Sequence, residues 1–260
     1  MKLNTIPLVE HKEYDKPSVF LPENLLREAR RQRALPDCEV PEICVLDPDG
    51  DLATYLQDEK DAKKDSCWAC YHSYMVRYKM GALTIGVVPC AVGSSYAVLV
   101  AEQLFVSGCK LLISVTSAGI INEPEKALHF ALITEALRDE GCSYHYLPPQ
   151  QPAQIATRWK EQLTGAEPKI WFAAKSWTTD APYRETTAAI NVAKQAGVTC
   201  VEMEAAALYA MAEARGRNVV CFAHLTNTMA QQEGDFEKGE HFGSLETLQV
   251  IEAVAQNWQD

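Results

Sequence analysis

Two glutamates flank a methionine in VEMEAAALYA, residues 201–210, where an apolar run gives way to an alanine-rich segment. On a helix, residues two apart point roughly 200° apart, so Glu202 and Glu204 could not both face one ligand. On an extended segment they share a face, and both could line a site. Alternatively, one of them is a first-turn carboxylate favoured by the helix dipole. A carboxylate aimed at a ligand suits ribose, whose vicinal hydroxyls are paired donors. AVGSS (91–95) and TSAG (116–119) each follow an apolar run and read as tight turns. Gly93 and Gly119 there would let the backbone approach a ligand closely. Free N–H groups at the start of a helix after Gly93 favour an anion or a polar oxygen.

These residues need a frame to hold them, and the apolar pattern supplies one. LTIGVVPCAV (83–92) and LLISVT (111–116) are near-continuous apolar runs, as expected of strands buried on both faces. Ser94 or Ser95 would cap a helix over roughly 96–107, with Gly108 ending it. Strand, helix and strand then form a right-handed βαβ unit. Further strands are expected at 43–46, 130–136, 170–176, 198–203 and 219–226, and helices at 152–163, 184–196, 204–215 and 245–257. DPDGD (47–51) reads as a turn, and the charge run 57–66 as a solvated loop or helix. Residues 1–42, with the helical PENLLREARRQ, read as an N-terminal arm, and 43–260 as one α/β domain.

Composition narrows the function classes. Of 260 residues, 47% are apolar and 23% charged, and the net charge is −11. No basic stripe offsets that charge, so no nucleic-acid partner is expected. No stretch approaches the ~20 apolar residues of a membrane span, and the first residues lack the apolar core of a signal peptide. Nine cysteines, odd in number and irregularly spaced, argue against a disulfide framework and for a reducing, cytoplasmic setting. Cys67 and Cys70 form a CWAC with no second pair, which reads as coincidence rather than a metal or redox site.

GVVPCAVGSSYAVLVAEQLFVSGCKLLISVTSAG (86–119) resembles the strand–glycine turn–helix–strand core of nucleoside phosphorylases. LRDEGCSYHYLPP (137–149) and WTTDAPYRE (177–185) are similar to segments of uridine phosphorylases, and VEMEAAALY to the superfamily's ribose signature. The resemblance covers roughly residues 43–255. It implies an α/β fold with a twisted mixed sheet, partly barrel-like and flanked by helices. It further implies a homo-oligomer, a dimer or hexamer. By resemblance, Met203 and Glu204 contact ribose with Glu202 beside them. Asn227 then serves the base and follows the pyrimidine pattern where purine enzymes carry aspartate, with Thr228 after it in place of the uridine-type relatives' arginine. Trp177 either stacks on the base or fills the core, and His145 either lines the base pocket or is a structural histidine.

The nucleophile side departs from the family. By resemblance, Ser114 stands where phosphorolytic relatives place an arginine, Ser117 keeps their hydroxyl, and His72 aligns near an arginine donated across the dimer. A serine cannot replace a bidentate guanidinium. Arg77, protonated His72, or Arg30 and Arg33 of the arm are the possible compensating cations. The resulting expectation is cleavage of a pyrimidine, uridine-like ribonucleoside by phosphorolysis to base and ribose 1-phosphate, with Glu204 and Asn227 catalytic. Phosphate is the possible co-substrate, with Gly93, Ser114, Ser117 and His72 around it, and no metal or other cofactor is required. A nucleosidase using water and a catalytically weak nucleoside binder are the alternatives. Four secondary readings complete the set. Asp180 would cap a helix near Pro182, Arg138 and Asp139 would form an ion pair, His224 would be a core histidine, and 234–240 a lid or solvated turn.

Overall fold

A computed structural model describes residues 6–124, 128–165, 170–229 and 233–258; the first five residues of the arm lie outside it. Its elements in chain order are α1 (Pro22–Arg33), β1 (Ile43–Asp47), α2 (Asp51–Lys60), β2 (Lys63–Lys64), β3 (Val76–Met80) and β4 (Leu83–Pro89). There follow α3 (Ser94–Val106), β5 (Leu111–Ile120), β6 (Phe130–Asp139), β7 (Ala153–Gln154), α4 (Thr157–Thr164) and β8 (Trp171–Thr179). The last are α5 (Thr187–Gln195), β9 (Cys200–Glu202), α6 (Ala205–Arg215), β10 (Asn218–Asn227) and α7 (Ser244–Gln256).

The sheet is mixed, and part of it closes on itself. β5 pairs with β10, β10 with β6, β6 with β8, β8 with β9, and β9 back onto β5. This five-strand ring removes the free edges that an open sheet would leave. From β5 the sheet continues through β1 and β4 to β3 and β2. The expected βαβ unit has its strands parallel, but β1 lies between β4 and β5. The long apolar runs are buried on both faces: every residue of β1, and β5 from Leu111 to Thr116. α6 buries all of Ala205–Ala212; its alanines let its backbone approach the barrel and α3 closely.

Several local expectations change. β5 runs on through TSAG, so that segment is strand rather than turn, because β9 and β10 both pair with it. α3 starts at Ser94 with Gly93 as its cap residue, and no side chain caps it. The 152–163 helix begins at Thr157 after the two-residue β7. The DPDGD turn leads directly into α2, and the charge run is split between the end of α2 and β2.

The expectation about cysteines is also corrected. Cys38 and Cys67 form a disulfide with their Cα atoms 5.2 Å apart, joining the segment after α1 to the segment after β2. Cys70 is free and buried, so CWAC is not a pair. An absent disulfide therefore no longer argues for a reducing compartment. α1 packs Leu26 and Ala29 onto Ala69. No helix among the described residues is long and apolar enough to cross a membrane.

Candidate active site

A cavity of about 370 Å³ opens beyond the ends of β1 and β10, against the second half of β5 and the short β9. β5 contributes Thr116–Gly119, the β9–α6 junction contributes Val201–Glu204, and Asn227 and Met229 come from the end of β10. Pro48 and Asp49 follow β1, while Tyr183, Glu185 and Phe236 come from connecting segments. Among the described lining residues there are four carboxylates (Asp49, Glu185, Glu202 and Glu204) and no lysine, arginine or histidine.

The β9–α6 junction resolves the choice left open by its sequence. Glu202 ends β9, and Glu204 (φ −130°, ψ −39°) is the cap residue of α6, so the pair stands ahead of the helix and all three residues reach the lining. The Glu202 carboxylate accepts from the N–H groups of Glu204 (2.8 Å) and Ala205 (2.7 Å), and from the hydroxyls of Ser176 and Thr178. Burial pushes this carboxyl up, and the four donors hold it back. The Glu204 carboxylate accepts the Gly93 N–H at 2.7 Å and the Met203 N–H at 3.3 Å. Burial raises its pKa first, and the adjacent charge of Glu202 raises it further. The Ser94 hydroxyl donates to the Met203 carbonyl at 2.7 Å, pinning the β4–α3 turn to this junction. Gly93 has φ +86°, a conformation that a side chain would strain.

A second acidic junction follows β1. Asp47 is buried and accepts from the N–H groups of Ala53 (2.9 Å) and Gly50 (3.2 Å). Burial, with the charges of Asp49 and Asp51, pushes its pKa up to about 7. Asp49 accepts two bonds from Ser117, the N–H at 3.0 Å and the hydroxyl at 2.9 Å. Lys238 stands behind it, its ammonium 3.4 Å from Asp49 and 2.6 Å from Asp51.

The structure brings Glu202, Met203, Glu204, Ser117 and Asn227 to the cavity, with Gly93 directly behind Glu204. It leaves the other sequence candidates off the lining. Ser114 is buried in the first half of β5, with no partner for its hydroxyl among the described residues. Trp177 is buried in a cluster with Ile121, Val198 and Val201, and its indole N–H donates to Asp139. His145 accepts from the Lys12 ammonium at 2.9 Å, and burial followed by that charge pushes its pKa down. His72 is exposed, and its carbonyl accepts from the Tyr96 hydroxyl. Thr228 is occupied by Asp235, which accepts from both its N–H and its hydroxyl. The candidate compensating cations are engaged elsewhere: Arg77 with Asp65, Arg30 with Asp37, and Arg33 with the Cys70 carbonyl.

The secondary readings divide. Asp180 does not cap the turn at Pro182 but accepts from the Gly141 N–H. Arg138 binds the Ser143 hydroxyl and the carbonyls of Leu147, Pro148 and Gln151 rather than Asp139. His224 stacks on Phe130 at 4.6 Å, and burial lowers its pKa to about 4. Within 234–240, Phe236 lines the cavity and Lys238 reaches the acids after β1.

Sequence reasoning missed Asp49, Thr116, Glu185, Tyr183 and Phe236. Two signals pointed that way: the acid-rich turn DPDGD at a strand end, and the segment 177–185, which lines the cavity with Pro182, Tyr183 and Glu185 instead of the tryptophan. Asn227 is oriented locally: its carbonyl oxygen accepts the Met229 N–H at 2.9 Å and its amide donates to the Thr226 hydroxyl at 3.1 Å. A side chain at Gly119 would collide with Met229 and Val201, so this glycine serves the close approach of β9 and β10 to β5.

The sequence model of the family described as Phosphorylase superfamily matches residues 43–257. The chain belongs to the phosphorylase superfamily. Its membership agrees with the ring of five strands. Uridine phosphorylase from Vibrio fischeri superposes with a TM-score of 0.68 at 17% identity, covering 95% of this chain and 99% of that one. The same enzyme complexed with 6-hydroxy-1-naphthoic acid gives 0.67 at 18% identity, with 83% and 90% covered. Purine nucleoside phosphorylase from Toxoplasma gondii in complex with immucillin-H gives 0.69 at 15% identity, with 85% and 92% covered. At these identities the likeness establishes the fold of this superfamily member and leaves its substrate to the site. No curated protein matches the chain.

Proposed function

We infer that this chain cleaves the N-glycosidic bond of a ribonucleoside bound in the cavity. The observation that carries the reading is Glu204, a buried carboxylate on the cavity lining, anchored from behind by the Gly93 N–H. Its ionised form accepts hydrogen bonds from the vicinal hydroxyls of ribose. Breaking the bond gives the ribosyl group oxocarbenium character, and the four lining carboxylates form a field that favours positive charge there. Preorganisation supplies the rate without a metal, another cofactor or a covalent enzyme intermediate.

The base lies toward Asn227 in this reading. An asparagine cannot protonate N7 of a leaving purine, which favours a pyrimidine, uridine-like nucleoside. The acceptor of the ribosyl group, phosphate or water, enters on the side of Asp49 and Ser117. The superfamily's assembly as a dimer or hexamer is part of the proposal, as is the division into an arm (1–42) and a domain (43–260).

A panel of ribonucleosides incubated with the protein, with products separated and counted, tests it. Base release from uridine faster than from inosine is expected. Faster inosine cleavage overturns the pyrimidine preference. Binding without turnover across the panel overturns the enzymatic reading in favour of a nucleoside binder.

A further inference from the structure

Three places around this cavity where an anion would find hydrogen-bond donors are filled by carboxylates of the chain itself. At the start of α6, the N–H groups of Glu204 and Ala205 are taken by Glu202. At the start of α3, the Gly93 N–H is taken by Glu204. On β5, the N–H and the hydroxyl of Ser117 converge at 3.0 and 2.9 Å on the two oxygens of Asp49. Two donors from one residue on two oxygens is the arrangement an oxyanion would otherwise occupy. Lys238 braces Asp49 and Asp51 from outside the cavity lining, so its charge holds the acids in place.

We propose that Asp49 is a built-in anion that determines the ribosyl acceptor: it closes the Ser117 position to inorganic phosphate, so the acceptor is neutral water. The proposal rests on the reading that the cavity cleaves a ribonucleoside. A phosphate dianion entering here would meet the carboxylate of Asp49, and it would have to displace a carboxylate to gain any of these donors. Water carries no charge and can donate hydrogen bonds to these carboxylates. In the step, the water oxygen bonds to C1′ of the ribosyl group as the bond from C1′ to the base nitrogen breaks. The bonding electron pair leaves with the base. The water hydroxyl ends on C1′ as free ribose, and its remaining proton ends on the base.

The experiment combines products with direct phosphate binding. Native protein is given a ribonucleoside while inorganic phosphate is raised from zero, and ribose is separated from ribose 1-phosphate. Phosphate binding is followed separately by ³¹P line broadening on native protein, Asp49→Asn, Asp49→Ala and Lys238→Gln. The native protein is expected to release free ribose at a rate independent of phosphate. Asp49→Ala, checked for folding by circular dichroism, should bind phosphate at least about tenfold more tightly, since it loses a like charge and frees both Ser117 donors. Asp49→Asn, which preserves the turn, should move the same way by less.

Saturable, phosphate-dependent formation of ribose 1-phosphate by the native protein overturns the proposal. Loss of that dependence in Lys238→Gln would then identify Lys238 as the phosphate's cation. Unchanged phosphate binding in both folded Asp49 variants also overturns it. If no ribonucleoside is cleaved, the ribonucleoside reading fails, while the ³¹P comparison still decides whether Asp49 closes the position to phosphate.

Discussion

The β9–α6 junction and the β1–α2 turn are built alike and end in opposite electrostatic states. In each, a strand finishes on a buried acid that accepts N–H groups at a helix start: Glu202 from Glu204 and Ala205, and Asp47 from Gly50 and Ala53. In each, a second acid two residues later reaches the cavity, Glu204 in one and Asp49 in the other. Asp49 has a lysine beside it and two donors from Ser117. Glu204 is held by N–H donors beside the negative Glu202, and its pKa is raised. One acid is thus paired with a lysine of the protein, and the other is left for a ligand to satisfy. What separates a structural carboxylate from a binding one here is the presence of a cation, more than position in the fold.

The comparison breaks most readily at Glu202. Glu202→Ala leaves two buried N–H groups and two buried hydroxyls without an acceptor. At ~1–3 kcal/mol for each buried donor left unsatisfied, a stability loss of about 4 kcal/mol or more is expected in urea unfolding. Asp47→Ala, with two such donors, should lose about half as much. Equal losses would show that the two junctions are not graded by their donors.

Next in size is Glu204→Ala, which should keep the fold and lower kcat/KM by ~2–4 kcal/mol, roughly thirty- to a thousand-fold. Near-normal kcat/KM in the folded variant would remove Glu204 from the ribose contact. Since only ionised Glu204 accepts from ribose hydroxyls, kcat/KM should rise with pH through its raised pKa. Glu202→Gln removes the neighbouring charge and should move that rise to lower pH. A pH–rate profile unmoved by the substitution would mean that the two carboxylates do not interact.

A gradual effect is expected on stability against pH. Asp47 titrates near 3.8 unfolded and at about 7 folded, so between these values the folded protein binds the extra proton. Stability from this group is therefore fully present below the lower value and declines as pH rises to the upper one, by about 2–4 kcal/mol at most. Asp47→Asn should flatten that decline in thermal melts between pH 4 and 7. An unchanged slope would assign the pH dependence to other groups.

The strands of the core and the glutamate pair were legible in the chain itself. A continuous apolar run such as ICVL or LLISVT reports burial on both faces wherever the strand ends up. VEMEA marks a strand-to-helix junction for the same local reason. Tertiary structure decided the rest, because it depends on pairings that periodicity does not encode. Ser117 meets Asp49 across 68 residues, and Gly93 meets Glu204 across 111. β5 runs through TSAG because β9 and β10 lie beside it, and that continuation carries Ser117 to the cavity while leaving Ser114 inside the sheet. Trp177 and Tyr183 stand six residues apart in a segment of the right kind, yet the first fills the core and the second lines the cavity. Cys38 finds Cys67 only after the chain following α1 has been laid against the segment before β3. A side chain's type limits the chemistry it can do, but its partners are set when the ring of strands closes and brings distant turns to one end.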